Sequence, residues 1–272
     1  ASNMEVSETH RTVLLHEAIA GLAIHPHASV VDATGGVGGH SARILEDLNG
    51  EGKLIILDED PLMVQKLQKR FQTQKGKHNA ENLSVHVVCE NFRHIARVTK
   101  ELGEEKVDAI IADLGWNSEQ FESEGKGFSF QKDEPLLMTY GDPETAPFTA
   151  IDVVNDWSEE AIAAALYAYA DERFARRIAH RLSEVREKKK IETTTELVAC
   201  IEEAIPKKFQ HGRTHPATKT FQALRIAVND ELDALSDFIQ GAVSILKEGG
   251  RLGIISFHSI EDGIVKRAFR DL

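Results

Sequence analysis

Four glycines, Gly35, Gly36, Gly38 and Gly39, fall within five positions, directly after the strand-like run Ser29-Val30-Val31-Asp32. Glycine lets a backbone turn sharply and approach a ligand closely because no Cβ intervenes. The unpaired N–H groups of such a turn, and of the helix expected to open at His40-Ser41, suit a polar or anionic ligand group. About 20 residues past Gly38 a second apolar run, Lys53–Leu57, ends in the carboxylate of Asp58. At that spacing an acidic side chain reaches a ribose hydroxyl pair in doubly wound nucleotide folds. The chemistry indicated is the binding of a nucleoside-containing cofactor.

Two cofactors suit that pattern, a nicotinamide dinucleotide and S-adenosylmethionine. The dinucleotide fingerprint fits imperfectly, because Ser41 stands at its third glycine position. Asp32, with Gly36 and Gly38 four and six residues on, looks more like the first motif of methyltransferases, with Thr34 where that motif usually has glycine. Asp113 closes the apolar run Val107–Asp113, where a group facing both cofactor and substrate would sit, and Trp116 follows three residues later. The order Asp-x-x-aromatic resembles the Asp-Pro-Pro-Tyr motif of amino-methyltransferases. There a polar side chain and a backbone carbonyl hold the target NH₂ while the aromatic stacks on the base, as a flipped base requires. His258, within Ser256–Asp262, is expected to line the substrate site. A Ser–His–acid hydrolase is disfavoured there: no Gly-x-Ser-x-Gly elbow is present, and triad members adjacent in sequence rarely meet in the needed geometry. Thr218, Gln222, Arg225 and Asn229 form a polar helical stripe that binds substrate or faces water. Neither His25-Pro26-His27 nor the cysteines Cys89 and Cys200 have metal-ligand spacing, so no metal is expected.

Strands and helices in alternation must position these residues. Short apolar runs over 29–34, 53–58, 83–89, 107–113 and 251–257 read as buried parallel strands, and the stretches between them carry apolar residues at helical spacing. The reading is an α/β fold with a five-stranded parallel sheet in the order 3-2-1-4-5 and the ligand at the carboxyl ends of the strands. The rhythm breaks after Asp113. Residues 115–147 are rich in Gly, Ser, Glu and Pro, and helices are expected over 158–169, 172–189 and 194–204. Residues 115–214 are therefore read as an inserted, mostly helical domain that recognises substrate, and 1–114 with 215–272 as the cofactor-binding domain. Thr218 to Leu246 reads as one long amphipathic helix, ended by Gly249-Gly250.

The chain of 272 residues is 42% hydrophobic and 28% charged, ordinary for a globular protein. No apolar run approaches the roughly 20 residues of a membrane span, no secretory signal is visible, and a cytoplasmic location is the natural expectation. Net charge is −12, yet Arg173–Lys219 holds twelve Lys/Arg against six Asp/Glu. A basic segment in an acidic chain can meet phosphates, or it can be a solvated helical face.

Taken together these residues resemble the MraW/RsmH family of ribosomal RNA methyltransferases. The resemblance rests on blocks in family order: His10–Leu15, Gly38-Gly39-His40-Ser41, Asp113-Leu114-Gly115 with Gln120, Gly127–Phe130, Glu172–Ala179, His215–Asn229 and Ser256–Asp262. It implies a class I, Rossmann-like methyltransferase that uses S-adenosylmethionine on N4 of a cytidine in the decoding region of small-subunit rRNA or the 30S subunit. Carried over by position, it implies cofactor contacts from Gly36, Gly38, Gly39, His40, Asp58, Phe92, Asp113 and Gln120. Asp113 is the first catalytic candidate, with His258 and Asn229 behind it, and the substrate candidates are Trp116, Phe128, Phe130, Lys219, Gln222 and Arg225. A homodimer is one assembly the sequence leaves open.

Three departures from the family pattern stand out. Where the family usually has Pro-Leu-Asp-Met-Arg-Met, this chain has Pro135-Leu136-Leu137-Met138-Thr139-Tyr140; the glycine loop lacks the family's aromatic and arginine; and strands 6 and 7 of a class I sheet are not found before Leu272. The first departure supports an alternative, a non-catalytic or retargeted relative that binds S-adenosylmethionine or RNA.

Overall fold

The computed structural model describes residues 16–72, 82–114 and 125–272. After helical residues 16–21, the elements in chain order are β1 (Ser29–Asp32), α1 (Gly39–Leu48), β2 (Glu51–Asp58), α2 (Pro61–Gln72), β3 (Asn82–Cys89), α3 (Ile95–Glu101) and β4 (Val107–Asp113). Then follow α4 (Ala150–Asp156), α5 (Glu159–Ala170), α6 (Ala175–Arg186), α7 (Thr194–Ala204), α8 (Thr218–Asn229), α9 (Glu231–Ile245), β5 (Leu246–Ile255) and α10 (Ser259–Arg270). The chain divides into two compact units, 1–115 with 233–272, and 116–232. Among the described residues no helix is long and apolar enough to cross a membrane.

The first unit is a parallel sheet in the order β3-β2-β1-β4-β5, as the sequence reading expects. Val30 pairs with Leu54 on one side and Ala109 on the other, in register through Asp32. Because side chains alternate along a strand, neighbours in sequence fill opposite faces. Val30, Leu54, Ile56, Ala109 and Ile111 pack with Ile44 and Leu48 of α1 and Leu67 and Phe71 of α2. Val31, Ile55, Leu57, Ile110 and Ala112 pack with Ile95 and Val98 of α3 and Phe238 of α9. Helices on both faces bury both sides of the central strands, which is why those strands read as continuous apolar runs.

The second unit is helical, with Val153, Ile162, Leu166, Ile178, Leu182, Leu197, Ile201 and Phe221 in one core. Its irregular leading segment is tied down by polar contacts. Thr194 donates from Oγ1 to Lys132 O and accepts from Glu134 N–H at 3.0 Å, while Glu134 Oε2 accepts from Gly127 N–H at 3.0 Å.

Two expectations need correction. The stretch 218–246 is two helices: Asp230 adopts a left-handed conformation (φ 49°) and its N–H closes α8 on Ile226 and Ala227 carbonyls before α9 restarts at Glu231. With Phe221 and Leu224 in the helical core, α8 packs within the second compact unit, which runs to Leu232. Gly249-Gly250 also ends no helix. α9 stops at Ile245, and the glycine pair lies in an irregular start to β5, where β4 pairing jumps from Val107–Leu246 to Ala109–Arg251. Gly249 has φ +76°, and a Cβ on Gly250 would meet Lys247 O at 2.9 Å, so the irregularity needs glycine at these places.

The altered run 135–140 is built into the second unit's core. Leu136 and Met138 are fully buried, and Thr139 is 2% exposed with no partner for its Oγ1. A buried hydroxyl without a partner carries a desolvation cost of about 1 kcal/mol or more. Thr139→Val, which keeps the shape, is expected to leave thermal stability unchanged or raise it by up to about 1 kcal/mol. A clear loss in calorimetric unfolding would mean the hydroxyl is hydrogen-bonded.

Candidate active site

Parallel strands bring their carboxyl ends to one edge of the sheet, and there Asp32, Asp58, Cys89, Asp113 and Ile255 end β1 to β5. The glycine loop follows β1 and turns back across β2. Gly35 N–H donates to Leu57 O at 2.7 Å, and a Cβ on Gly35 would meet Ile56 Cγ2 at 2.7 Å and Leu67 Cδ1 at 2.8 Å. Gly38 caps α1 with φ +89°, where a Cβ would meet Arg70, Leu67 and Phe71. These two glycines are thus required by packing on β2 and α2. Gly39 differs, since a Cβ there would meet nothing within 4 Å. No side chain caps the amino end of α1, so its first N–H groups are offered to whatever occupies that open space.

Asp58 spans from β2 to the loop. Its Oδ2 accepts from Gly36 N–H at 2.8 Å and its Oδ1 from Asp60 N–H at 2.9 Å. Burial pushes the carboxyl up to about 6, against the pull of those two amides. An ionised carboxylate offers about four acceptor positions. Two are filled by the amides, and two can serve a vicinal diol.

Behind the loop lies a network joining β1, α1 and β4. Asp32 is fully buried; Ser41 Oγ donates to its Oδ2 at 2.6 Å and Thr34 N–H to its Oδ1 at 3.2 Å. Burial holds the Asp32 carboxyl above its usual range, with His40, Ser41 and Thr34 opposing. Thr34 Oγ1 accepts from Asp113 N–H at 2.7 Å, a bond between residues 79 apart in sequence. His40 is 8% exposed; its Nε2 has no hydrogen bond and lies 3.7 Å from Asp113 Oδ2. Sequence reasoning treated Thr34 as a departure from a motif and gave Ser41 no role. The Asp-x-Thr spacing, with Ser nine residues past the Asp, was the available signal.

Thr34 therefore fixes the backbone of Asp113. Thr34→Val is expected to cost about 1–3 kcal/mol of stability by leaving that N–H without an acceptor. It should also lower turnover, and Thr34→Ser should restore both. Chemical denaturation beside steady-state rates checks this, and a Val enzyme indistinguishable from the parent would refute the role.

The remaining candidates are placed as follows. Phe92 opens a short 3-10 turn after β3, and one face of its ring stacks on Phe238 at 4.6 Å. His258 caps α10, its Nδ1 accepting from Glu261 N–H at 3.3 Å, with Nε2 3.0 Å from Glu261 Oε1. The polar stripe on α8 neither faces water throughout nor stays free. Asn229 donates from Nδ2 to Met138 O at 2.8 Å and accepts from Tyr140 N–H at 2.9 Å, so its amide is spent on the 138–140 backbone. Arg225 pairs with Glu231 at 2.9 Å, Gln222 donates to Tyr169 O at 3.0 Å, and Lys219 to Asp171 O at 3.1 Å. Phe128 stacks on Tyr140, and Phe130 stacks on His215 at 4.3 Å with its edge to Phe221. Trp116 and Gln120 lie outside the described residues.

The open N–H groups at Gly39, the half-filled Asp58 carboxylate and the unpartnered His40 Nε2 together fit a ligand with a diol at one end and a polar amino-acid-like group at the other. The chain is 41% identical over 262 residues, 96% of its length and 81% of the relative's, to the Ribosomal RNA small subunit methyltransferase H of Brevibacillus brevis. The profile of the MraW methylase family matches residues 7–272. With that match running through the glycine loop, the three acidic strand ends and the helical unit alike, the chain belongs to the MraW methylase family.

Proposed function

We propose that this protein methylates the N4 amino group of a cytidine in the decoding region of small-subunit rRNA, in the cytoplasm, with S-adenosylmethionine as donor. The observation that carries it is the Asp113 arrangement: a carboxylate at the end of β4, backbone held by Thr34, with the buried unpartnered His40 Nε2 at 3.7 Å. The name of the Brevibacillus brevis relative supports rRNA as the substrate class.

S-adenosylmethionine, when bound, supplies an electrophilic methyl group on a positively charged sulfur. Asp58 would hold the ribose diol, and the amino end of α1 with His40 the polar tail. Asp113 would accept a hydrogen bond from the exocyclic N–H of the cytosine. That nitrogen's lone pair is delocalised into the ring, so the carboxylate's task is to turn it toward the methyl and then take the proton. Acceleration by such positioning needs no covalent bond to the enzyme. His258 is a second polar group at the same sheet edge. We assign Asn229 to positioning rather than chemistry, because both ends of its amide are bound to the 138–140 backbone.

A retargeted relative is the second reading, favoured by Thr139 being buried where the family usually carries arginine. One assay separates the two. Labelled S-adenosylmethionine is incubated with small ribosomal subunits lacking N4-cytidine methylation, and the nucleosides are analysed. N4-methylated cytidine is expected. Cofactor binding without that product would move the assignment to the second reading.

A further inference from the structure

Within the helical unit, the loop after α5 meets the 3-10 turn Lys207–Phe209. There Arg173 packs over two rings that touch each other, its Cζ 4.9 Å from the Phe174 centroid and 4.5 Å from that of Phe209. The rings are 5.3 Å apart, and Lys208 Nζ sits 4.9 Å from the Phe209 ring. The turn is anchored from behind, with Gln210 Nε2 donating to Glu202 O at 2.6 Å and to Ile205 O at 2.7 Å. Phe209 is nonetheless 40% exposed.

Two arginines of this unit are paired with carboxylates, Arg181 with Glu184 and Glu203 and Arg225 with Glu231, while Arg177 and Arg186 donate to backbone carbonyls. Among the described residues Arg173, Arg176, Lys207, Lys208, Arg213 and Lys219 make no ion pair with a carboxylate. Arg173 is therefore held by aromatic faces and not by a carboxylate. Cation–π stacking holds the plane of a guanidinium while leaving its N–H edge available, and that rigid fork matches the paired oxygens of a phosphate. Among the described residues of this unit the exposed large hydrophobics are Tyr167 and Phe209, less than the apolar face that insertion into a membrane surface would need.

We propose that Arg173, held by Phe174 and Phe209 and flanked by Lys207 and Lys208, is a preorganised anchor for a backbone phosphate of the RNA substrate. This rests on the reading that the substrate is RNA and adds where and how that RNA is gripped. A phosphate anchor positions without reading sequence, so it must serve unrelated RNAs alike.

The test uses the full chain with two probes, small-subunit rRNA and polyuridylate, whose affinities are measured between about 50 and 200 mM salt. Arg173→Ala is expected to weaken both about tenfold and to reduce the slope of log K against log salt by about 1. Phe209→Ala removes no charge, yet should weaken both RNAs about threefold by releasing the guanidinium; Arg173→Lys should fall between the parent and Arg173→Ala. Affinity for S-adenosylhomocysteine and kcat at saturating RNA should not move, which separates this effect from misfolding. Parent-like affinity and salt slope in both alanine variants would overturn the anchor, as would a loss confined to one of the two RNAs. Failure of the methylation reading is seen separately, as a parent protein that binds RNA with the expected slope but yields no methylated cytidine.

Discussion

Asp113→Asn is expected to lower methyl transfer about 10²-fold or more while the protein still binds S-adenosylhomocysteine and unfolds at nearly the parental temperature. The substitution keeps the shape of the side chain and leaves the backbone N–H on Thr34 Oγ1 untouched. What it removes is the negative charge beside His40 Nε2 and the ability to accept from, and take a proton from, an exocyclic amine. A loss in kcat with cofactor binding retained would place Asp113 at the reacting atom. An Asn enzyme with parental turnover would take Asp113 out of that role and leave His258 as the next group to test.

The second large effect belongs to Asp58. Hydrogen bonds to a charged acceptor are worth about 1.5–3 kcal/mol each, and about 1.4 kcal/mol is tenfold in affinity. Losing both ribose contacts in Asp58→Ala should therefore weaken S-adenosylmethionine binding about 10²-fold or more by calorimetry, and Asp58→Asn, which keeps one acceptor oxygen, should lose less. The parent protein carries a pH signature of the same group. Burial raises this carboxyl from 3.8 to about 6, so the folded chain holds the proton more tightly than the unfolded chain between those values. Its contribution to stability must fall as pH rises from about 4 to about 6. Cofactor affinity should move the opposite way over the same interval, because only the ionised carboxylate accepts from both hydroxyls. Affinity that is flat from pH 5 to 7 would remove Asp58 from the ribose site.

Much of this was legible in the sequence because parallel sheets leave a strong local trace. Doubly buried strands read as apolar runs, their ends are marked by Asp32, Asp58 and Asp113, and the order 3-2-1-4-5 places those ends on one edge. Helix α7 was read with its observed ends, Thr194–Ala204, since Thr193 accepts from Glu196 N–H and fixes its start. The break at Asp230 left no such trace: apolar spacing continues through it, and one left-handed residue redirects the helix.

Side-chain partners were decided by tertiary structure alone. The stripe Thr218, Gln222, Arg225, Asn229 has the same spacing whether it meets substrate, solvent or backbone. Folding commits three of the four to Tyr169 O, Glu231 and the 138–140 backbone, because a polar group in a packed interface must find an acceptor or a donor. The same holds for Thr34. Sequence shows a threonine where glycine is usual, and only the approach of β4 to the loop makes it the acceptor for Asp113. Periodicity and residue type thus determined the sheet, the loop and the acidic strand ends, since these depend on local backbone preference and burial. Which polar atoms remain free for a ligand depends on contacts between residues as far as 79 positions apart, which no local pattern encodes.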